Sequence, residues 1–145
     1  MNEQFTWLHI GLGSFHRAHQ AWYLHRLQVM GDKHWSIAAG NIRNDAEHVV
    51  QALSAQKGRY VLETVSPEGV SEYEEITSIQ KLIPWQADLQ PLIAEGADSK
   101  TKVIAFTVTE GGYYLNTSHK LEVNNPDLAA DLKGGCKTIY GVITR

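Results

Sequence analysis

The chain has 145 residues, 43% hydrophobic and 20% charged, proportions of a globular protein long enough to bury one core. Its net charge of −3 excludes a general nucleic-acid footprint, and a single cysteine, Cys136, excludes an internal disulfide or a cysteine-rich metal site. No apolar run suits a membrane span or a signal peptide, so a soluble, cytoplasmic protein without membrane or nucleic-acid partners is expected.

Phe5 to Ile10 reads as a short buried strand, and Gly11 and Gly13 form the turn that follows. Ser14 is placed to cap a helix. Phe15, Ala18 and Trp22, then Tyr23, Leu27 and Met30, recur at helical spacing and predict one amphipathic helix to about Met30. Gly31-Asp32-Lys33 ends it, and Trp35 to Ala39 is a second strand closed by Gly40-Asn41. Two strands joined by one helix form a βαβ unit, parallel and right-handed. Asn44 or Asp45 can cap a helix running to about Gln56, with Val49, Val50 and Leu53 inward and Gly58 at its exit. Tyr60 to Val65 and Tyr73 to Ile79 predict a hairpin around Ser66-Pro-Glu-Gly69.

Pro84 is placed to start a further helix that buries Leu89, Leu92 and Ile93, ends at Gly96 and is kinked by Pro91. Lys102 to Val108 is a continuous apolar run, as at the centre of a parallel sheet covered on both faces. It ends in the turn Thr109-Glu-Gly-Gly-Tyr113. Asn116 to Asp127 reads as a polar loop, and helical spacing resumes at Ile139, Val142 and Ile143. The fold class is α/β: a Rossmann-like, mostly parallel sheet with a β-hairpin excursion. About four sheet strands are counted where the complete fold has six, so residues 1–145 are expected to be the opening part of something longer.

Strand, glycine turn and helix together place backbone N–H groups against a pyrophosphate. Gly11 permits the tight turn and Gly13 the close approach, while His16 stands where the pattern has a third glycine. A glycine turn without ligand is the alternative. Arg17 either pairs with a phosphate or is a solvated surface group. At the carboxyl end of the second strand, Asp45 can accept hydrogen bonds from the ribose of NAD or serve as a plain helix cap, whereas Arg43 would favour the 2′-phosphate of NADP. His16 and His19 have a spacing used by metal pairs, but nothing obvious completes a site, and packing is the reading adopted; no metal is expected. Glu110 can relay protons at the carboxyl end of the apolar run, or be a surface carboxylate in a turn.

Taken together, Ile10-Gly-Leu-Gly-Ser-Phe-His-Arg-Ala-His-Gln20 and Phe106-Thr-Val-Thr-Glu-Gly-Gly-Tyr113, with the spacing between them, resemble the mannitol dehydrogenase family of polyol-specific long-chain dehydrogenases. The resemblance runs from end to end of the chain. It implies oxidation of a sugar alcohol to a ketose, with hydride passed to NAD and no metal. It also implies that Gly11, Leu12, Gly13, Ser14 and Phe15 line the pyrophosphate turn, with Ile10 before it and Arg17 beside it. Asn44 and Asp45 would face the adenosine ribose, and Val108, Thr109 and Glu110 the nicotinamide side. Family members often carry an acid where this chain has Asn44. The family's proton-abstracting lysine and its substrate-holding asparagines and histidine lie in later segments, mainly in a helical C-terminal domain. Those motifs do not occur here. The polyol is therefore expected to be held through that absent domain, and the 145 residues are expected to lack catalysis. A stand-alone nucleotide-binding or regulatory module without catalysis is the alternative.

Overall fold

The computed structural model describes residues 3–145. Four parallel strands form the sheet: β1 (Phe5–Ile10), β2 (Trp35–Gly40), β5 (Ile79–Leu82) and β6 (Thr101–Phe106), in the order β5-β2-β1-β6. Strands β3 (Tyr60–Val65) and β4 (Ser71–Ile76) make a separate antiparallel ribbon. β1 pairs in register with β2 from Phe5 opposite Trp35 to Ile10 opposite Gly40. Alternate residues of β1 and β2 therefore point to opposite faces of the sheet. Leu8, Ile10 and Ala38 pack on one face with Leu92 of α4 (Gln90–Ala97) and Val142 of α6 (Ile139–Ile143). Trp7, Ile37 and Ala39 pack on the other with Ala21 and Leu24 of α2 (Gln20–Val29) and Leu53 of α3 (Glu47–Ala55). No helix among the described residues is long and apolar enough to cross a membrane.

The long helix predicted from Ser14 is two helices, α1 (Ser14–Ala18) and α2, which part at His19. The His19 ring donates Nδ1–H to the Phe15 carbonyl (2.9 Å), and its backbone leaves helical geometry at ψ −77°. The same carbonyl keeps its bond from the His19 N–H (3.1 Å), so ring and backbone share one acceptor where the two helices meet. Gly13, not Ser14, occupies the N-cap. The inward face of α2 is Ala21, Leu24 and His25, so the predicted stripe of Tyr23, Leu27 and Met30 is exposed. Neither Asn44 nor Asp45 caps α3, which starts after Ala46 without a side-chain cap.

The returning hairpin strand does not run through to Ile79. It ends at Ile76, and the chain crosses from the ribbon to the sheet at Thr77-Ser78, where Ser78 Oγ–H donates to the Ala21 carbonyl (2.6 Å). Gly58 allows β5 its place. Its φ is +78°, and a Cβ there would lie 2.1 Å from the Ile79 carbonyl oxygen. Pro91, rather than Pro84, sits in the first turn of its helix, where a missing N–H costs nothing. α5 (Pro126–Leu132) occupies the end of the stretch read as a loop, with Asn125 as its cap accepting from the Asp127 N–H (2.9 Å). Finally, β6 lies at one end of the four-strand order formed by the described residues. Among the described residues it pairs only with β1, and Val103 and Ile104 are exposed.

Candidate functional site

β1 lies between β2, reached first, and β6, reached only after β5 has been added beyond β2. The strand order thus reverses at β1, and a crevice opens past the carboxyl ends of strands at such a switch point. A cleft of about 610 Å³ lies there. Ile10 and Gly11 border it from β1, Asn41 to Arg43 and Asp45 from the end of β2, and Thr107 to Thr109 with Gly111 and Gly112 from the end of β6. The short helical turn Glu110–Tyr113 packs on Val108 so closely that a Cβ on Gly112 would lie 2.8 Å from the Val108 Cβ.

Gly11 has φ +120°, a backbone that L side chains rarely adopt. Gly13 differs. Its φ is −64°, open to any residue, and a Cβ added there meets nothing within 4 Å. Nothing among the described residues requires glycine at position 13, whose bare backbone faces open space. The next residues begin α1, whose first N–H groups have no intrahelical acceptor and no side-chain cap.

His16 takes the place of the third glycine by filling the gap between helix and strand. Its ring lies flat on that of His9 from β1, 3.5 Å between centroids and 17° between planes, with both side chains fully buried. His9 donates Nδ1–H to the Gly11 carbonyl (2.8 Å), and His16 donates Nδ1–H to Gln20 Oε1 (2.8 Å). Both Nε2 atoms are buried without a partner among the described residues. Burial holds His16 down to about 4 from its ordinary 6.5, and the nearby His9 and Arg17 add to this against the Gln20 hydrogen bond. Burial also lowers His9. The stack is neutral at pH 7 and fixes the turn from beneath.

The other candidates separate by where they point. Leu12 is buried in the core, so only its backbone borders the turn. Ser14 and Phe15 are exposed, with Phe15 stacked on His19. Arg17 is half-buried and held from the protein side. Its Nε–H donates to the Leu12 carbonyl (3.2 Å), its guanidinium lies 5.9 Å from the Tyr60 ring centroid, and the Tyr60 hydroxyl donates back to the Arg17 carbonyl. Asp45 borders the cleft and is free of the capping role, while exposed Asn44 faces Glu47 (3.5 Å). Glu110 is exposed and lies between Thr109 and Gly111, which border the cleft, without bordering it itself. His16 and His19 part company, one buried and one exposed, and no cluster of metal-ligating side chains occurs among the described residues.

A profile of the mannitol dehydrogenase Rossmann domain matches residues 6–137. The chain belongs to the mannitol dehydrogenase family. It is 81% identical over 145 residues to D-arabinitol 4-dehydrogenase of Klebsiella pneumoniae, covering 100% of this chain and 32% of that enzyme. D-arabinitol 4-dehydrogenase of Ralstonia nicotianae is 54% identical over 138 residues, covering 94% of this chain and 30% of that enzyme. The Pseudomonas fluorescens mannitol 2-dehydrogenase, solved as a ternary complex with NAD and D-mannitol, matches with a TM-score of 0.87 and 29% identity over 98% of this chain and 30% of that one. The chain thus spans about a third of the length of these relatives.

In this mannitol dehydrogenase family member the cleft also holds residues that sequence reasoning missed. Tyr114, Asp127, Lys137 and Thr138 border it from the segments after β6. Asp127 carried a usable signal, since Asn125-Pro126 is a cap followed by proline at the first helical position. Tyr114 carried none. It takes a left-handed backbone, φ 50°, that ordinary residues seldom adopt.

Proposed function

We propose that the chain is the NAD-binding part of a polyol dehydrogenase whose full-length form oxidises D-arabinitol to D-xylulose. The observation that carries the cofactor reading is Gly13, a glycine with open space where its side chain would be, at the head of a helix and two residues after Gly11, which borders the switch-point cleft. On this reading the backbone of Gly11 to Phe15 meets the pyrophosphate, and Asp45 accepts from the adenosine ribose hydroxyls. Val108 and Thr109 border the nicotinamide side, with Glu110 beyond them. NAD, when bound, supplies the hydride acceptor. The residues that hold the polyol and take its hydroxyl proton belong, on this reading, to a helical domain beyond these 145 residues, which alone bind nucleotide without turnover. The choice of D-arabinitol is supported by the 81% identity to the Klebsiella enzyme.

Titration of the chain with NADH, followed by nucleotide fluorescence, tests the cofactor reading. The unaltered chain should bind, and Gly13→Val should weaken binding at least about tenfold, because the added isopropyl group would occupy the space of the phosphates. The variant's thermal midpoint should stay close to that of the parent, since position 13 has room and an ordinary φ. Equal affinities in the two proteins would remove the pyrophosphate from this turn.

A further inference from the structure

The sequence leaves Arg43 pointing toward NADP and Asp45 toward NAD, and the structure shows what becomes of the arginine. Its Nη2 lies 3.6 Å from Asp127 Oδ2 and donates to the Tyr114 hydroxyl (3.3 Å). The same hydroxyl donates to Asp127 Oδ2 (3.4 Å). Arg43 follows β2, Tyr114 ends the short helical turn after β6, and Asp127 opens α5, so the triad joins three segments across the cleft they all border. Two members are held in place by their own backbones. The Tyr114 carbonyl accepts from the Glu122 N–H (2.7 Å), and the Asp127 N–H is bound by the Asn125 cap.

An unpaired arginine at the end of the second strand accommodates a 2′-phosphate, and a carboxylate there takes the ribose hydroxyls instead. We propose that Asp127 and Tyr114 are specificity-determining residues that make the cleft select NAD over NADP by engaging Arg43. The proposal rests on the reading of the cleft as the NAD site. Asp127 neutralises the Arg43 charge, and Asp45 then leaves this end of the cleft repelling an added phosphate dianion. The pair is partly exposed, which keeps its effect moderate and salt-sensitive. Lys137 is the other cation on the cleft, without a carboxylate partner among the described residues, and the test separates it from Arg43.

Dissociation constants for NADH and NADPH, measured by fluorescence at low ionic strength, give the ratio that decides the matter. Asp127→Asn should lower the NADPH-to-NADH ratio about three- to tenfold. Tyr114→Phe, which removes only a hydroxyl, should shift it in the same direction by less. The double variant Arg43→Gln/Asp127→Asn should restore the parent ratio or exceed it. A ratio unmoved by both single variants overturns the proposal, as does a gain that survives in the double variant, which would belong to Lys137. Failure of the parent chain to bind either nucleotide removes the NAD reading and this proposal together. NADH binding with an unmoved ratio removes this proposal alone.

Discussion

Between pH 6.5 and pH 4 the folded chain should lose about 3 kcal/mol of stability through His16 alone. In the unfolded chain this imidazole titrates near its ordinary 6.5, whereas burial on His9 holds it at about 4 in the fold. The unfolded state therefore takes up the proton first as pH falls. The stabilisation is complete above 6.5, is lost progressively toward 4, and changes no further below that. His9 is lowered in the same direction by burial, so it adds to the slope. Glu74 and Glu75, held below the usual carboxylate range by hydrogen bonds chiefly from Trp22 and Arg59 respectively, lose their contributions only in stronger acid. The upper part of the window thus reports the histidines. Urea unfolding at half-unit pH steps measures the slope, and His16→Phe keeps a flat ring on His9 without a titrating nitrogen. A variant slope equal to that of the parent between pH 6.5 and 5 would remove His16 as its origin.

Gly58→Ala should cost roughly 3 kcal/mol or more, a loss large enough to threaten folding in a domain of this size. Two penalties coincide. The residue has φ +78°, and the new Cβ would press into the Ile79 carbonyl, a backbone group inside the sheet that cannot swing aside. Gly69, at φ +82° on the hairpin turn with nothing within 4 Å, separates them. Gly69→Ala carries only the backbone cost, about 1 kcal/mol. Thermal or urea unfolding of both variants gives the comparison. Similar losses at the two positions would mean that β5 yields easily and that the contact at Gly58 is not what holds it.

Much of the site was legible because local rules agree with the global fold around β1. An apolar run, two glycines and a polar helix start can be read in one window, and the carboxyl ends of β1, β2 and β6 follow from it. β5 was harder. Its four residues continue directly from the hairpin, and only the two-residue crossing at Thr77-Ser78 separates ribbon from sheet. The apolar run of β6 carries the composition of a central strand but no record of which neighbours are present. Arg17 and Arg43 look alike in the sequence, each a cation past the carboxyl end of a strand. Tertiary partners far along the chain, Tyr60 for one and Asp127 for the other, are what separates them in the fold. His16 illustrates the opposite difficulty. It breaks the general glycine pattern, and only the ring of His9 beneath it shows how helix and strand still meet.

The β3–β4 ribbon stands outside the main sheet, yet its base is tied to the segment that carries the glycine turn. Tyr60 reaches the Arg17 carbonyl, Trp22 donates to Glu74 (2.8 Å), and Ile76 packs with Leu12 and Leu24. Local opening in proteins follows shared contacts rather than chain order. The base of the ribbon and helices α1 and α2 should accordingly open together, as one cooperative unit, while the tip around Gly69 frays independently. A lesion in the ribbon would then reach the glycine turn as a change in how often that turn is formed, without altering any residue that borders the cleft.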